Sequence, residues 1–122
     1  MGALQKTILI ADDDAAIRQA IANVLEFSDF EVLHVDDGTS VMQAIKANPD
    51  LILLDIMMDG HDGRAVCKQI KRQAATKQIP VLMISGSPDI ENAAEECGAD
   101  GFLAKPFDMD ELLQKVNMLL PG

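Results

Sequence analysis

The sequence predicts one α/β domain, a doubly wound five-stranded parallel sheet with helices on both faces. Three observations carry this. Short apolar runs alternate five times with segments of helical periodicity, the signature of a parallel sheet. The run Leu51 to Leu54 is apolar at every position, as a strand buried on both faces requires. Four of the runs stop at polar residues: Ile8 to Ala11 at Asp12-Asp13-Asp14, Leu51 to Leu54 at Asp55, Val81 to Ile84 at Ser85, and Phe102 to Ala104 at Lys105-Pro106. Right-handed crossovers limit how five such units can be wound. With one reversal, strand order 2-1-3-4-5 sets the ends of strands one and three side by side, and Asp12, Asp13 and Asp55 share a crevice. Open α/β sheets build their sites at that edge.

Each element has its own local reason. Strand one spans Thr7 to Ala11. Helix one follows with Ile17, Ile21, Val24 and Leu25 on one stripe and Asp14 placed to cap its first turn. Strand two, Glu31 to Val35, is mixed in polarity, which suits a sheet edge. Helix two, Thr39 to Ala47, is stopped by Asn48-Pro49. After strand three a loop with Gly60 and Gly63 leads to helix three, Arg64 to Gln73. Strand four is Val81 to Ile84. Ser87 is expected to cap helix four, with Pro88 at its first position. That helix should end at Cys97, before a left-handed Gly98. Strand five is Gly101 to Ala104. Helix five begins at Asp108, with Glu111 three residues on as a capping box. Leu112, Val116, Leu119 and Leu120 form its docking stripe. The sequence stops at Pro121-Gly122, so the expectation is a single domain over 1–122 with no output domain.

Composition narrows the function classes. The chain has 122 residues, 48% hydrophobic and 25% charged, ordinary for a soluble globular domain. It contains neither an apolar run of membrane-spanning length nor a secretory leader, so a cytoplasmic protein without membrane insertion is expected. Cys67 and Cys97 form no CxxC pair and are read as buried or incidental thiols, Cys67 facing inward on its helix. Twenty acidic against ten basic side chains give a net charge of −10, which repels phosphate backbones and argues against direct nucleic-acid binding.

The strand ends carry the chemistry. Clustered carboxylates repel, and a divalent cation relieves them. Mg²⁺ takes one or two carboxylates, keeps waters and completes its shell with phosphate oxygens. A screened carboxylate can attack phosphorus to give an aspartyl phosphate. The loose transition state needs placement and charge stabilisation, which a metal, a lysine and a hydroxyl supply.

ILIADDD, LILLDIMMDGHDG, VLMISG and FLAKPF together resemble the motifs of two-component response-regulator receiver domains, in order and spacing across nearly the whole chain. The resemblance implies a flavodoxin-like (βα)5 fold of order 2-1-3-4-5. It implies that Asp55 is the phosphoacceptor, that Asp13 and the carbonyl of Met57 bind Mg²⁺ directly, and that Asp12 acts through water. Ser85 and Lys105 would bind the transferred phosphoryl group, and the Lys105-Pro106 bond would be cis. The donor would be a sensor histidine kinase or a histidine phosphotransfer protein. A switch would move Ser85 and Phe102, changing the face of helix four, strand five and helix five that binds a downstream target protein. Such a domain is a phosphoprotein that assists its own phosphorylation and dephosphorylation, not an enzyme acting on a separate substrate.

Two positions depart from the family's pattern. Asp59 stands where proline is usual. Met57, two residues after the acceptor, is apolar and can neither orient nor hydrogen-bond a water, which predicts slow loss of phosphate. Phe102 has no hydroxyl, so burial would have to drive its rotation. The competing reading is a phosphate-independent interaction module that keeps the fold without using the site. A phosphatase with an aspartyl nucleophile would want a second acid where Met57 stands. A nucleotide-binding fold is disfavoured because no glycine-rich loop follows strand one.

Overall fold

The computed structural model describes residues 5–58 and 61–120. The expectations attached to Asp59, to Gly60 and to Pro121-Gly122 lie outside the described residues. The elements run β1 (Thr7–Ala11), α1 (Ala15–Phe27), β2 (Glu31–Val35), α2 (Gly38–Ala44), β3 (Leu51–Asp55), α3 (Gly63–Arg72), β4 (Val81–Ser85), α4 (Ile90–Cys97), β5 (Gly101–Ala104) and α5 (Met109–Leu119). The five strands form one parallel sheet of order β2-β1-β3-β4-β5. This is the order expected from one reversal in winding.

Side chains alternate across the sheet and divide the core in two. Ile8, Ile10, Leu51, Leu53, Leu82 and Ile84 face α1 and α5, where they meet Ile21, Leu25, Leu112 and Val116. Leu9, Ile52, Leu54, Val81 and Met83 face the other side and meet Val41, Val66, Ile70 and Ala94 from α2, α3 and α4. β1, β3 and β4 are buried throughout apart from Thr7 at the start of β1, whereas β2 at the edge is half exposed. The apolar strand content thus follows from position in the sheet: a central strand has no wet face.

The caps set the helix boundaries. Asp14 accepts from the amides of Ala16 and Ile17 at 3.0 and 3.2 Å and starts α1. Asp108 and Glu111 form the expected capping box on α5. Two boundaries differ from the sequence expectation. The segment taken as one helix to Ala47 is α2 to Ala44, then a 3₁₀ turn over Ile45–Ala47 that ends in a left-handed Asn48 at φ 63°. Asn48 precedes Pro49, whose ring disfavours α geometry in the residue before it. Helix four starts at Ile90, not Pro88, and Ser87 is not its cap. The Ser87 hydroxyl accepts from Asp89 N at 3.2 Å and the Ile90 amide donates to Ser87 O at 3.3 Å, so residues 87–90 close a turn ahead of α4. Cys97 closes α4 and Gly98 is left-handed at φ 83°, as expected. The β3–α3 connection also holds a short antiparallel ladder, Met57–Met58 against His61–Asp62.

Gly63 explains how that connection fits. Its amide donates to Ile56 O at 2.7 Å. A Cβ there would collide with the Asp55 carbonyl oxygen and come within 2.8 Å of Ile56 Cα, all backbone that cannot swing aside. A Cβ at Gly86 would meet only Lys105 Cβ, at 3.9 Å. Gly63→Ala should therefore lower unfolding stability by about 1–3 kcal/mol, as overpacking does. Gly86→Ala should stay within about 0.5 kcal/mol of wild type in the same urea titration. Equal effects of the two substitutions would refute the close-approach account.

Candidate functional site

Register brings the strand ends together. Ala11 lies opposite Leu54, so Asp12 and Asp55 are the next residues along adjacent strands. Asp55 lies opposite Ile84, and Ser85 opposite Ala104, which puts Ser85 and Lys105 one step further along their strands. Four residues from four parts of the chain thus meet at one carboxyl edge. Asp12 is 2% exposed, Asp55 5% and Ser85 2%, while Asp13 is exposed. Carboxylate oxygens of Asp12, Asp13 and Asp55 lie within 4.8 Å of one another.

Each side chain is held by neighbours. The Lys105 ammonium donates to Asp55 Oδ2 at 3.3 Å and stands 3.5 Å from Asp12 Oδ2. Asp55 Oδ1 accepts from the Met57 amide at 3.2 Å, and Asp12 Oδ1 from the Asp14 amide at 2.9 Å. Ser85 Oγ accepts from Ser87 N at 3.0 Å, and Ser85 O accepts from Lys105 N at 2.8 Å. The Lys105-Pro106 peptide is cis, as the resemblance implied. The Met57 side chain is 72% exposed. Phe102 is half buried on β5 against the core facing α4, with the Lys115 ammonium 5.6 Å from its ring centre.

Two contributors escaped the sequence reading. Arg18 Nη1 on α1 donates to the carbonyl of Asp12 at 2.6 Å and fixes the end of β1. No spacing rule marks a side chain that reaches six residues back. Gly63 lets α3 start against the backbone of Asp55 and Ile56. Its signal was present, since glycine is a poor choice for a first helical position unless a close approach requires it.

The electrostatics are unbalanced. Burial, then the charge of Asp12, pushes the Asp55 carboxyl up to about 6, against the pull of Lys105 and the Met57 amide. Burial works against the Lys105 ammonium, but the charges of Asp55 and Asp12 together outweigh it and raise its pKa. Asp12 Oδ2 is buried with no hydrogen-bond partner among the described residues. A buried carboxylate oxygen left so is expensive, and two buried acids share the Lys105 ammonium. A divalent cation of the oxygen-seeking kind fits this donor set.

The folded protein without metal binds the Asp55 proton more tightly than the unfolded chain does. The neutral carboxyl's stabilising contribution is present in acid and is lost as pH rises from about 4 through about 6. Asp55→Asn should remove that decline and raise the Tm of the metal-free protein at neutral pH, as calorimetry in chelator would show. A decline as steep in the variant as in wild type would place its origin elsewhere.

Comparison with known proteins agrees with this geometry. Residues 8–117 match the family described as response regulator receiver domain. Over 116 residues the chain is 40% identical to the DNA-binding dual master transcriptional regulator RpaA of Synechocystis sp., covering 93% of this chain and 48% of that protein. It is 37% identical to the phosphate regulon transcriptional regulatory protein PhoB of Pseudomonas aeruginosa, covering 94% and 52%. The chain thus spans about half the length of the curated relatives it matches. Among solved structures it superposes on the chemotaxis response regulator CheY4 of Vibrio cholerae with a TM-score of 0.88 at 31% identity, covering 96% of this chain and 100% of that one. The receiver domain of NtrX from Brucella abortus gives 0.85 at 36%, covering 93% and 97%. Among the described residues no helix is long and apolar enough to cross a membrane. With the sheet order, the acidic edge and the sequence match in accord, the chain belongs to the receiver domain family of two-component response regulators.

Proposed function

We propose that Asp55 is the phosphoacceptor and that this chain is switched by its esterification. One observation carries the reading: a nine-tenths-buried carboxylate at the sheet edge, 3.3 Å from a lysine and within reach of two further acids. At neutral pH Asp55 is mostly ionised despite its raised pKa, so a nucleophilic oxygen is present. That oxygen attacks the phosphorus of a phosphohistidine, the P–N bond breaks, and its electron pair stays on the imidazole. Such a donor belongs to a histidine kinase or a histidine phosphotransfer protein.

The chain's own residues supply placement. Lys105 neutralises charge on the incoming phosphoryl oxygens, and its ion pair with Asp55 holds both groups in position before the donor arrives. Ser85 Oγ accepts from Ser87 N in this structure, which leaves its hydroxyl hydrogen to donate to a phosphoryl oxygen. Asp13, Asp55 and the Met57 carbonyl would hold Mg²⁺ directly, and Asp12 through water. The unpartnered Asp12 oxygen and the three-carboxylate cluster support this. Bound there, the ion would screen carboxylate repulsion and neutralise phosphate charge.

The switch follows from the same contacts. When Ser85 turns toward the phosphoryl group it gives up its hold on Ser87 and the turn before α4. Phe102 leaves the Lys115 contact, a cation–π interaction worth about 0.5–1 kcal/mol at an exposed site, and fills the space released. The α4–β5–α5 face then presents a different surface to a target protein. Net charge of −10 disfavours DNA as that target for this domain itself. Any DNA contact like that named for RpaA would lie with residues outside this sequence.

With Mg²⁺ and a small acyl phosphate, intact mass should show one added phosphoryl group on wild type and none on Asp55→Asn. Lys105→Ala or Ser85→Ala should slow its appearance by about 10²-fold, the usual cost of a lost charge-stabilising donor. Unmodified wild type beside a phosphorylated control receiver would favour the interaction-module reading instead. Because Met57 cannot position water, the phosphorylated form should persist for minutes or longer after the acyl phosphate is removed, and Met57→Glu should shorten it. Loss within seconds in wild type would overturn the role given to Met57.

A further inference from the structure

The two cysteines lie away from the acidic edge, where α3 packs on α4, and the phosphoryl chemistry uses neither. They are not isolated from each other. Cys67 Sγ donates to the carbonyl of Cys97 at 3.5 Å, which sets the Cys67 thiol against the residue that ends α4. That carbonyl closes α4 and has no helical partner of its own, so the Cys67 thiol is held beside Cys97 by the helix end. Cys97 Sγ also lies 3.5 Å from Ala94 O and 3.9 Å from the buried thioether of Met83.

The two differ in access. Cys67 is wholly buried, on the core side. Cys97 is 3% exposed but lines a surface pocket of about 230 Å³ with Arg64, Lys68, Ala93 and Glu96. The Cys67 side chain, the Ala99 amide and the charge of Lys68 lower the pKa of the Cys97 thiol against the opposing effect of burial, while Cys97 and burial raise that of Cys67. A more acidic thiol on a residue that lines a pocket, with a second thiol held against that residue, matches the order of an attacking and a resolving cysteine.

We propose that Cys97 and Cys67 form an oxidant-reactive dithiol, in which a small hydroperoxide entering the pocket oxidises Cys97 and Cys67 then closes a disulfide joining α3 to α4. The Cys97 thiolate attacks the distal peroxide oxygen, the O–O bond breaks, and the leaving oxygen departs as water or alcohol with a proton. The Cys67 sulfur then attacks the sulfenic sulfur, the S–O bond breaks, and water leaves with the Cys67 proton. Two thiols are oxidised by two electrons and one peroxide is reduced. The cross-link would tie α4 to α3 and so restrain one side of the α4–β5–α5 face, but the chemistry stands whether or not Asp55 is phosphorylated.

The test treats the folded protein with hydrogen peroxide, blocks remaining thiols with iodoacetamide, and maps peptides without reduction. Methionine oxidation serves as an internal clock, because Met57 and Met118 are 72% and 77% exposed. The expected result is a Cys67–Cys97 cross-linked peptide, reversed by dithiothreitol, that appears before Met57 and Met118 are fully oxidised. Lys68→Ala, an exposed change, should slow its formation about 3-fold or more by raising the Cys97 pKa. Cys67→Ser should leave a dimedone-reactive sulfenic acid on Cys97 and no cross-link. Should that variant not fold, the wild-type clock and Lys68→Ala decide alone. Two thiols fully alkylated after both methionines are oxidised, or a cross-link formed only in denaturant, would overturn the proposal.

Discussion

Asp12 and Asp55 carry like charges into a sheet edge from which water is largely excluded, and the surrounding structure answers that repulsion. Lys105 reaches both carboxylates, at 3.3 and 3.5 Å, yet one ammonium cannot neutralise two buried acids with a third at the rim. The imbalance shows in a raised Asp55 carboxyl and an unpartnered Asp12 oxygen. An apolar core would not keep such a cluster for stability, since burying an incompletely paired charge costs free energy. On the function proposed here, a divalent cation and a phosphoryl group would complete it.

The scaffold makes that placement rigid. The residues that meet at the edge are the last of β3 and β4 and the first after β1 and β5, so their backbone is fixed at or next to the sheet ladders. Loop-borne groups would lose more conformational freedom on forming the same cluster. Smaller contacts set the final ångström: Arg18 on the Asp12 carbonyl, the Met57 amide on Asp55, and Gly63 allowing α3 to begin against the backbone of Asp55 and Ile56. On the other side, Ser85, Ser87 and Asp89 are linked by successive amide-to-hydroxyl hydrogen bonds leading into α4. A change at Ser85 is therefore two hydrogen bonds from the residue before that helix.

Most of this was legible in the residues. The all-apolar run Leu51–Leu54 could only be a central strand, and the mixed polarity of Glu31–Val35 gave away an edge. Asp14 and the Asp108–Glu111 pair marked helix starts because capping is local chemistry. The misreadings were also local in cause. Ser87-Pro88 looks like a cap, yet the Ser87 amide is already tied to Ser85 and its hydroxyl serves the turn. Thr39–Ala47 looks like one helix, but the final turn tightens ahead of Pro49. In each case a neighbouring constraint outweighed the propensity of the segment.

The sequence by itself determined the alternation of strands and helices, the winding that gathers the strand ends, and the residue types that meet there. It could do so because burial imprints a period on each element and crossover handedness restricts topology. Only the tertiary structure decided which acid is buried, how far Lys105 compensates it, that Arg18 and Gly63 support the edge, and that Cys67 and Cys97 share a contact across α3 and α4. Those outcomes rest on distances between residues far apart in the chain and on the exclusion of water between them, quantities that exist only once the layers have packed.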